Sequence, residues 1–217
     1  MKKIICISDL HGNLDIDIPE ADILFIAGDI VPAGRIVEID SNWLQDKFNP
    51  WLKSLPVERI VFTPGNHDEI FQKSPKLVPK LSLSYLVDQQ IEIDRIKIYG
   101  SPWQPIYRNW AFNINKEARE YVWSKIPEDT QILLLHCPPF GKLDKVSKRN
   151  PNFQKHIGCK PLKNRIKELP NLKYVIFGHA HENHGILEKD GITYINCSVL
   201  NDNCKMVYKP IVLDIEI

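Results

Sequence analysis

Short apolar runs rich in β-branched residues recur along the chain, and each closes on a cluster of Gly, Asp, Asn or His. They cover residues 3–7, 23–27, 59–62, 91–99, 131–135, 174–177, 192–197 and 206–215. Stretches as unbroken as Ile132-Leu133-Leu134-Leu135 and Tyr174-Val175-Ile176-Phe177 suit strands covered on both faces, as in sheets flanked by helices. The last two or three runs read as a consecutive antiparallel set. Helical candidates lie between the runs: 41–55, with Ser41 as N-cap and Pro56 as a stop; 116–125; and 161–169, opened by Pro161 and stopped by Pro170. Residues 69–90, interrupted by Pro75 and Pro79, carry weak periodicity and no definite assignment. Alternation of strand and helix followed by strands alone predicts an α/β architecture of two packed sheets with helices outside.

Composition bounds this picture without changing it. A chain of 217 residues is read as one domain over 1–217. With 43% hydrophobic and 25% charged residues, neither disorder nor a fibrous repeat is expected. The apolar run from Ile4 to Ile7 is too short for a signal peptide, and no stretch approaches membrane-spanning length. Five cysteines (Cys6, Cys137, Cys159, Cys197, Cys204) form no C-x-x-C pair, which reads as reduced thiols in a cytoplasmic protein and argues against a thiolate zinc site. Net charge is +1, yet residues 142–167 carry nine of the 28 basic residues and one of the 27 acids. That segment is either a solvated face or an electrostatic landing site for phosphates.

The polar clusters that close the strands are more informative. They are Asp9-Leu10-His11, Gly28-Asp29, Gly65-Asn66-His67-Asp68, His136 and Gly178-His179-Ala180-His181, and they hold five of the seven histidines. Ligands at the ends of parallel strands converge on the carboxyl edge of a sheet. D-x-H spacing on an extended segment points Asp9 and His11 the same way, so both can reach one ion. Two neighbouring divalent cations repel, so a carboxylate shared between them is expected, and Asp29 beside its glycine is the best candidate. The imidazoles of His179 and His181 serve either one ion or one each. Mixed N and O ligation suits Mn, Fe, Co, Ni or Zn better than an all-oxygen Mg or Ca site, with Mn or Fe preferred and Zn, Ni, Co and Mg as the alternatives. Singly, each cluster is ordinary turn chemistry or a satisfied histidine; five of them at strand ends point to a metal centre.

The set resembles the calcineurin-like metallophosphoesterases, whose pattern is D-x-H, G-D, G-N-H-[DE], a histidine, then G-H-x-H. The resemblance implies a fold of two stacked mixed β-sheets flanked by helices. It puts Asp9, His11, Asp29 and His181 on one metal and Asp29, Asn66, His136 and His179 on the other. His67 stays free of metal, beside the scissile phosphate. Gly100-Ser101-Pro102-Trp103-Gln104-Pro105, His136-Cys137-Pro138-Pro139, Ile157-Gly158-Cys159 and Tyr194-Ile195-Asn196-Cys197-Ser198 resemble a branch of small metallophosphoesterase-domain proteins associated with cyclic nucleotide and other phosphodiester hydrolysis. The phosphoprotein phosphatases of the wider family continue the second motif as G-D-x-x-D-R-G. Here Pro32 and Ala33 stand in place of the second acid and the arginine, which argues against that branch and leaves the partner that orients His67 open. Asp68 is adjacent to it.

The resemblance implies in-line attack on phosphorus by a hydroxide bridging two metals, with His67 as general acid. Trp103, Tyr107 and Trp110 read either as an aromatic wall for a nucleobase or as ordinary packing. Asn13 and His156 are candidate substrate contacts, with a turn asparagine and an exposed histidine as the plain alternatives. The expected substrate is a small phosphodiester, a nucleotide including 2′,3′- or 3′,5′-cyclic forms. A nuclease or RNA-end-processing enzyme and a non-catalytic scaffold are the competing readings. No membrane and no obligate protein partner are expected.

Overall fold

The computed structural model describes residues 1–32, 34, 37–147 and 155–216. Two sheets lie face to face. The first has the order β15 (Ile211–Ile215), β1 (Lys2–Ile7), β2 (Ala21–Ala27), β3 (Val57–Thr63), β4 (Ser84–Tyr85), parallel except for β15. The second has the order β13 (Gly185–Lys189), β14 (Ile192–Asn196), β12 (Tyr174–Phe177), β9 (Ile132–Leu135), β6 (Ile96–Ser101), β5 (Gln89–Ile93), with both edge strands antiparallel. Two short pairs, β7 (Gln104–Pro105) with β8 (Asn113–Ile114) and β10 (Lys145–Val146) with β11 (Lys155–His156), form small sheets of their own.

Period-2 side-chain alternation builds three apolar layers from these strands. Ile4, Cys6, Phe25, Ile98, Leu134, Ile176 and Ile195 fill the space between the sheets. Ile5, Ile7, Leu24, Ile26 and Phe62 face the other way, onto Trp43, Leu44, Phe48, Leu52 and Phe71. Those belong to α1 (Val37–Trp43), a π-helical turn (Leu44–Phe48), α2 (Asn49–Ser54) and α3 (Glu69–Lys73). On the far side Leu133, Leu135, Val175 and Phe177 pack on α4 (Arg119–Ser124) and α5 (Lys160–Ile166) through Trp123, Leu162 and Ile166. The chain is therefore a four-layer α/β sandwich of mixed sheets, as expected.

Several local expectations are corrected. The run 91–99 is not one strand but the hairpin β5–β6, turned at Asp94 and Arg95, whose φ values of 51° and 68° are left-handed. The final runs are not an antiparallel set: β14 lies parallel to β12, and β15 crosses to the other sheet beside β1. β15 begins only at Ile211, not at 206. The helix expected from Ser41 starts at Val37, and Ser41 is no cap, since its Oγ donates to the Leu77 carbonyl at 2.7 Å. The π-helical turn, where the Asn49 N–H reaches back to Leu44 O, places Pro50 near the start of a fresh helix. The other two helices are shorter than expected by a few residues at one or both ends. Residues 69–90 hold α3, a 3₁₀ turn (Pro75–Leu77) and β4.

A candidate metal centre at the strand ends

Five parallel strands, β1, β2, β3, β9 and β12, release their chains at one edge, and every motif sits there. The loops after β1 and β2 are zipped together: Asp9 N–H donates to Gly28 O, His11 N–H to Asp29 O and Gly12 N–H to Ile30 O, at 2.8–2.9 Å. The loop carrying Asn66 and His67 is tied in by Asp68. Its Oδ2 accepts the N–H groups of Gly65 and Asp29, at 2.7 and 2.8 Å, and its Oδ1 those of Ile30 and Val31, at 2.9 and 3.0 Å. The His179 N–H donates to Asp9 Oδ2 at 3.0 Å, which closes the ring of loops.

The backbone is unusual where the polar side chains sit. Asp9, His11, Asp29 and His179 have φ values of 60°, 43°, 56° and 66°. Left-handed conformations of this kind in non-glycine residues concentrate at functional sites, where the surroundings over-determine them. They also correct the expectation for Asp9 and His11: the segment is turned rather than extended, and the two side chains converge through left-handed backbone. The motif glycines have a steric reason. A Cβ on Gly28 would overlap His136 Nδ1, one on Gly65 would overlap Asp29 Oδ1, and one on Gly178 would overlap Ser8 Oγ and Asp9 Oδ2.

Within this frame the candidate ligands meet. Donor atoms of Asp9, His11 and His181 lie within 4.8 Å of one another, as do those of Asp9, Asp29 and His136. Asp29 Oδ2 stands between the two groups, 3.6 Å from His11 Nε2 and 3.4 Å from His136 Nε2. His136 Nε2 is also 2.9 Å from Asn66 Oδ1, and His179 packs on His136 with ring centroids 5.0 Å apart. The Nδ1 atoms of His136 and His181 face the carbonyls of Ala27 and Asn201 at 2.8 and 3.2 Å. Such contacts hold Nδ1 of each ring on a carbonyl and turn Nε2 toward the carboxylates, where loss of its proton would free it as a ligand, the usual arrangement of metal-ligating histidines. The Asn66 Nδ2 and His11 Nδ1 atoms are buried and have no hydrogen-bond partner among the described residues. Buried carboxylates, imidazoles and an amide oxygen aimed at one another fit a pair of divalent cations.

Charge within the cluster is strongly perturbed. Burial works to raise the Asp9 and Asp29 carboxyls, but the imidazoles of His181 and His136 outweigh it and hold both below the usual carboxylate range. Burial opposes charge on His136, yet Asp29 and Asp9 push it up to about 9; His181 is raised by Asp9 in the same way. Burial, reinforced by His136, drives His179 down to about 3. His11 is lowered, by burial. Asp68 is pushed up to about 7 by burial and by Asp29.

His67 lies at the rim. Its ring contacts His11 at 4.9 Å and Trp110 at 4.8 Å between centroids, and its N–H donates to Asp29 Oδ1 at 2.8 Å. Among the described residues none hydrogen-bonds its ring nitrogens, so packing between His11 and Trp110 orients it. Asp68 does not, because both of its oxygens are occupied by backbone N–H groups.

The remaining candidates are placed differently from one another. Trp103 is tied down, its indole N–H donating to Asp88 at 2.7 Å and its ring packing on Phe112. Trp110 is the indole at the site, with Tyr107 against it at 4.9 Å. Asn13 is exposed and caps its own turn by accepting the Asp15 N–H at 3.0 Å. His156 pairs with the buried Asp144 at 2.6 Å. The basic segment 142–167 is described only in part, since 148–154 lie outside the described residues, as does Ala33; Lys142 is buried against Tyr194 rather than presented to solvent. No described helix is long and apolar enough to cross a membrane. Sequence reasoning missed Asp68 as the tie between loops, the carbonyls of Ala27 and Asn201, and Arg108 beside Trp110. Of these only the acid following Gly-Asn-His carried a signal.

The family model for calcineurin-like phosphoesterases matches residues 2–183. The chain is 33% identical to metallophosphoesterase domain-containing protein 1 of Homo sapiens, over 98% of this chain and 71% of that relative. It is 32% identical to a UPF0046 protein of Caenorhabditis elegans over 99% of this chain, which spans 60% of that relative's length. The solved phosphopantetheinyl hydrolase of Mycobacterium tuberculosis aligns with a TM-score of 0.52 over 93% of this chain and 90% of that one, at 13% identity, a likeness of fold alone. With a family match over most of the chain and its motif residues gathered at one sheet edge, the chain belongs to the calcineurin-like phosphoesterases and is a metal-dependent phosphoester hydrolase.

Proposed function

We propose that the substrate is a nucleotide phosphodiester, including 2′,3′- and 3′,5′-cyclic forms. Asp9, His11, Asp29 and His181 would hold one divalent cation and Asp29, Asn66, His136 and His179 a second, with Mn or Fe the best match to the mixed donors. When bound, the pair supplies a water of lowered pKa and neutralises the phosphate oxygens. The chain's own residues do the rest. His67, outside both ligand sets, donates a proton to the leaving oxygen. Asp29 fixes the main chain under it through the His67 N–H. Asn66 carries the neighbouring aromatic loop, its carbonyl accepting the Ala111 N–H at 3.0 Å.

The observation that carries the nucleotide reading is Trp110 against His67 at 4.8 Å, an aromatic face beside the group that would protonate the leaving oxygen. Every nucleobase has a face that stacks on such a ring, at about 1–3 kcal/mol per base. The nuclease reading draws support from a separate contact. The Ser147 N–H donates to both oxygens of Glu182, at 3.0 and 2.9 Å, so the base of the basic segment abuts the loop of His181. The reading retains a cytoplasmic setting and no obligate protein partner.

A panel of 2′,3′-cyclic, 3′,5′-cyclic and linear nucleotides with Mn tests the proposal, with Trp110→Ala alongside. The expected result is hydrolysis of at least one nucleotide, with KM raised about tenfold in the variant. Hydrolysis of a chromogenic bis-ester but of no nucleotide overturns it.

A further inference from the structure

The loop that carries Trp110 also carries Arg108, whose guanidinium lies 5.4 Å from the ring centroids of both Tyr107 and Trp110. His67, Trp110 and Arg108 thus follow one another outward from the metal centre, a proton donor, an aromatic face and a cation. Among the described residues no carboxylate pairs with Arg108, although it is exposed.

The loop is built rather than loose. Asn113 Oδ1 accepts the Tyr107 N–H at 3.1 Å and a Gln104 Nε2 hydrogen at 3.2 Å, while Asn113 Nδ2 donates to the carbonyls of Tyr107 and Arg108 at 3.4 and 3.2 Å. Gln72 Oε1 accepts the Phe112 N–H at 2.7 Å. Arg108 itself is held at φ 52° and Phe112 at 55°. An arginine kept in left-handed backbone on two aromatic rings has its fork pre-organised for an anion, and guanidinium binds phosphate bidentately.

We propose that Arg108 is a specificity-determining residue that reads a second phosphate, so that the preferred substrate is a nucleoside phosphorylated on both its 5′ and 3′ sides. The scissile diester sits at the metal centre, the base on Trp110 and the distal phosphate on Arg108. This rests on the nucleotide reading above and deepens it.

The test compares nucleoside 2′,3′-cyclic phosphates with and without a 5′-phosphate, as the ratio of kcat/KM within each enzyme. Arg108→Gly removes the guanidinium while keeping the left-handed backbone unstrained, and Arg108→Lys keeps a charge without the fork. The wild type is expected to prefer the 5′-phosphorylated substrate about tenfold, mostly through KM. That preference falls to about unity in Arg108→Gly and is partly kept in Arg108→Lys. A wild type without preference, or a preference unchanged in Arg108→Gly, overturns the role of Arg108 while leaving the nucleotide reading standing. If both resist while a 3′,5′-cyclic or linear nucleotide is cleaved, the role of Arg108 falls alone; if no nucleotide is hydrolysed while a chromogenic bis-ester is, both fall together.

Discussion

Asp68 Oδ2 accepts the backbone N–H of Asp29 at 2.8 Å, across 39 residues of sequence. The same carboxylate takes three further N–H groups, so one buried side chain fixes the relative position of two motif loops. Removing it in Asp68→Ala strands buried donors, each costing about 1–3 kcal/mol when unsatisfied. With relaxation, a total near 3 kcal/mol is expected, which for a chain of this size lowers Tm by about 10 °C. Metal content should fall with it. A thermal melt with unchanged Tm would show that the carboxylate is dispensable.

Gly178 touches no substrate in this account, yet it sets the fit between loops. In Gly178→Ala the new Cβ would overlap Ser8 Oγ and Asp9 Oδ2, so the Asp9 carboxylate must move. If Asp9 is a metal ligand as proposed, such a displacement should weaken metal binding by about 10–100-fold. Calorimetric titration with Mn measures this, and wild-type affinity in the variant would contradict the packing argument.

His67→Ala should keep its metal, because the imidazole stands outside both proposed ligand sets. General acid assistance contributes about 10²–10⁴-fold, so turnover of esters with poor leaving groups should drop by that factor. Esters with an activated phenolate leaving group should lose much less. Equal losses on both kinds of ester would assign His67 another role.

Four of the cysteines are buried and Cys204 is exposed. Burial pushes the thiols of Cys6, Cys137, Cys159 and Cys197 up, which removes their reactive thiolate. A colorimetric thiol reagent should label one site in the native chain and five after denaturation. Two or more fast-reacting native sites would contradict the packing around these residues.

Much of this was legible in the sequence because buried strands are nearly pure apolar runs, and the loops that end them must be polar. Ile132–Leu135 and Tyr174–Phe177 stand where those runs are. The β5–β6 hairpin was not legible: its turn uses Asp94 and Arg95 at positive φ instead of the glycines that mark such turns. Nor was β13, whose half-exposed Gly-Ile-Leu-Glu-Lys gives a weak pattern, or the pairing of β15 with β1, which joins opposite ends of the chain. At the site, residue types and spacing named the candidates. Which of three tryptophans and tyrosines faces His67 depends on the Asn113 and Asp88 hydrogen bonds, which no local spacing encodes.

Counting metal ions tests whether Asp29 is shared between two cations, as proposed. The metal-free chain and Asp29→Asn, each dialysed against Mn and analysed by elemental mass spectrometry, should give two ions per wild-type chain and at most one per variant chain. Two ions retained by Asp29→Asn, or none bound by the wild type, would contradict the account.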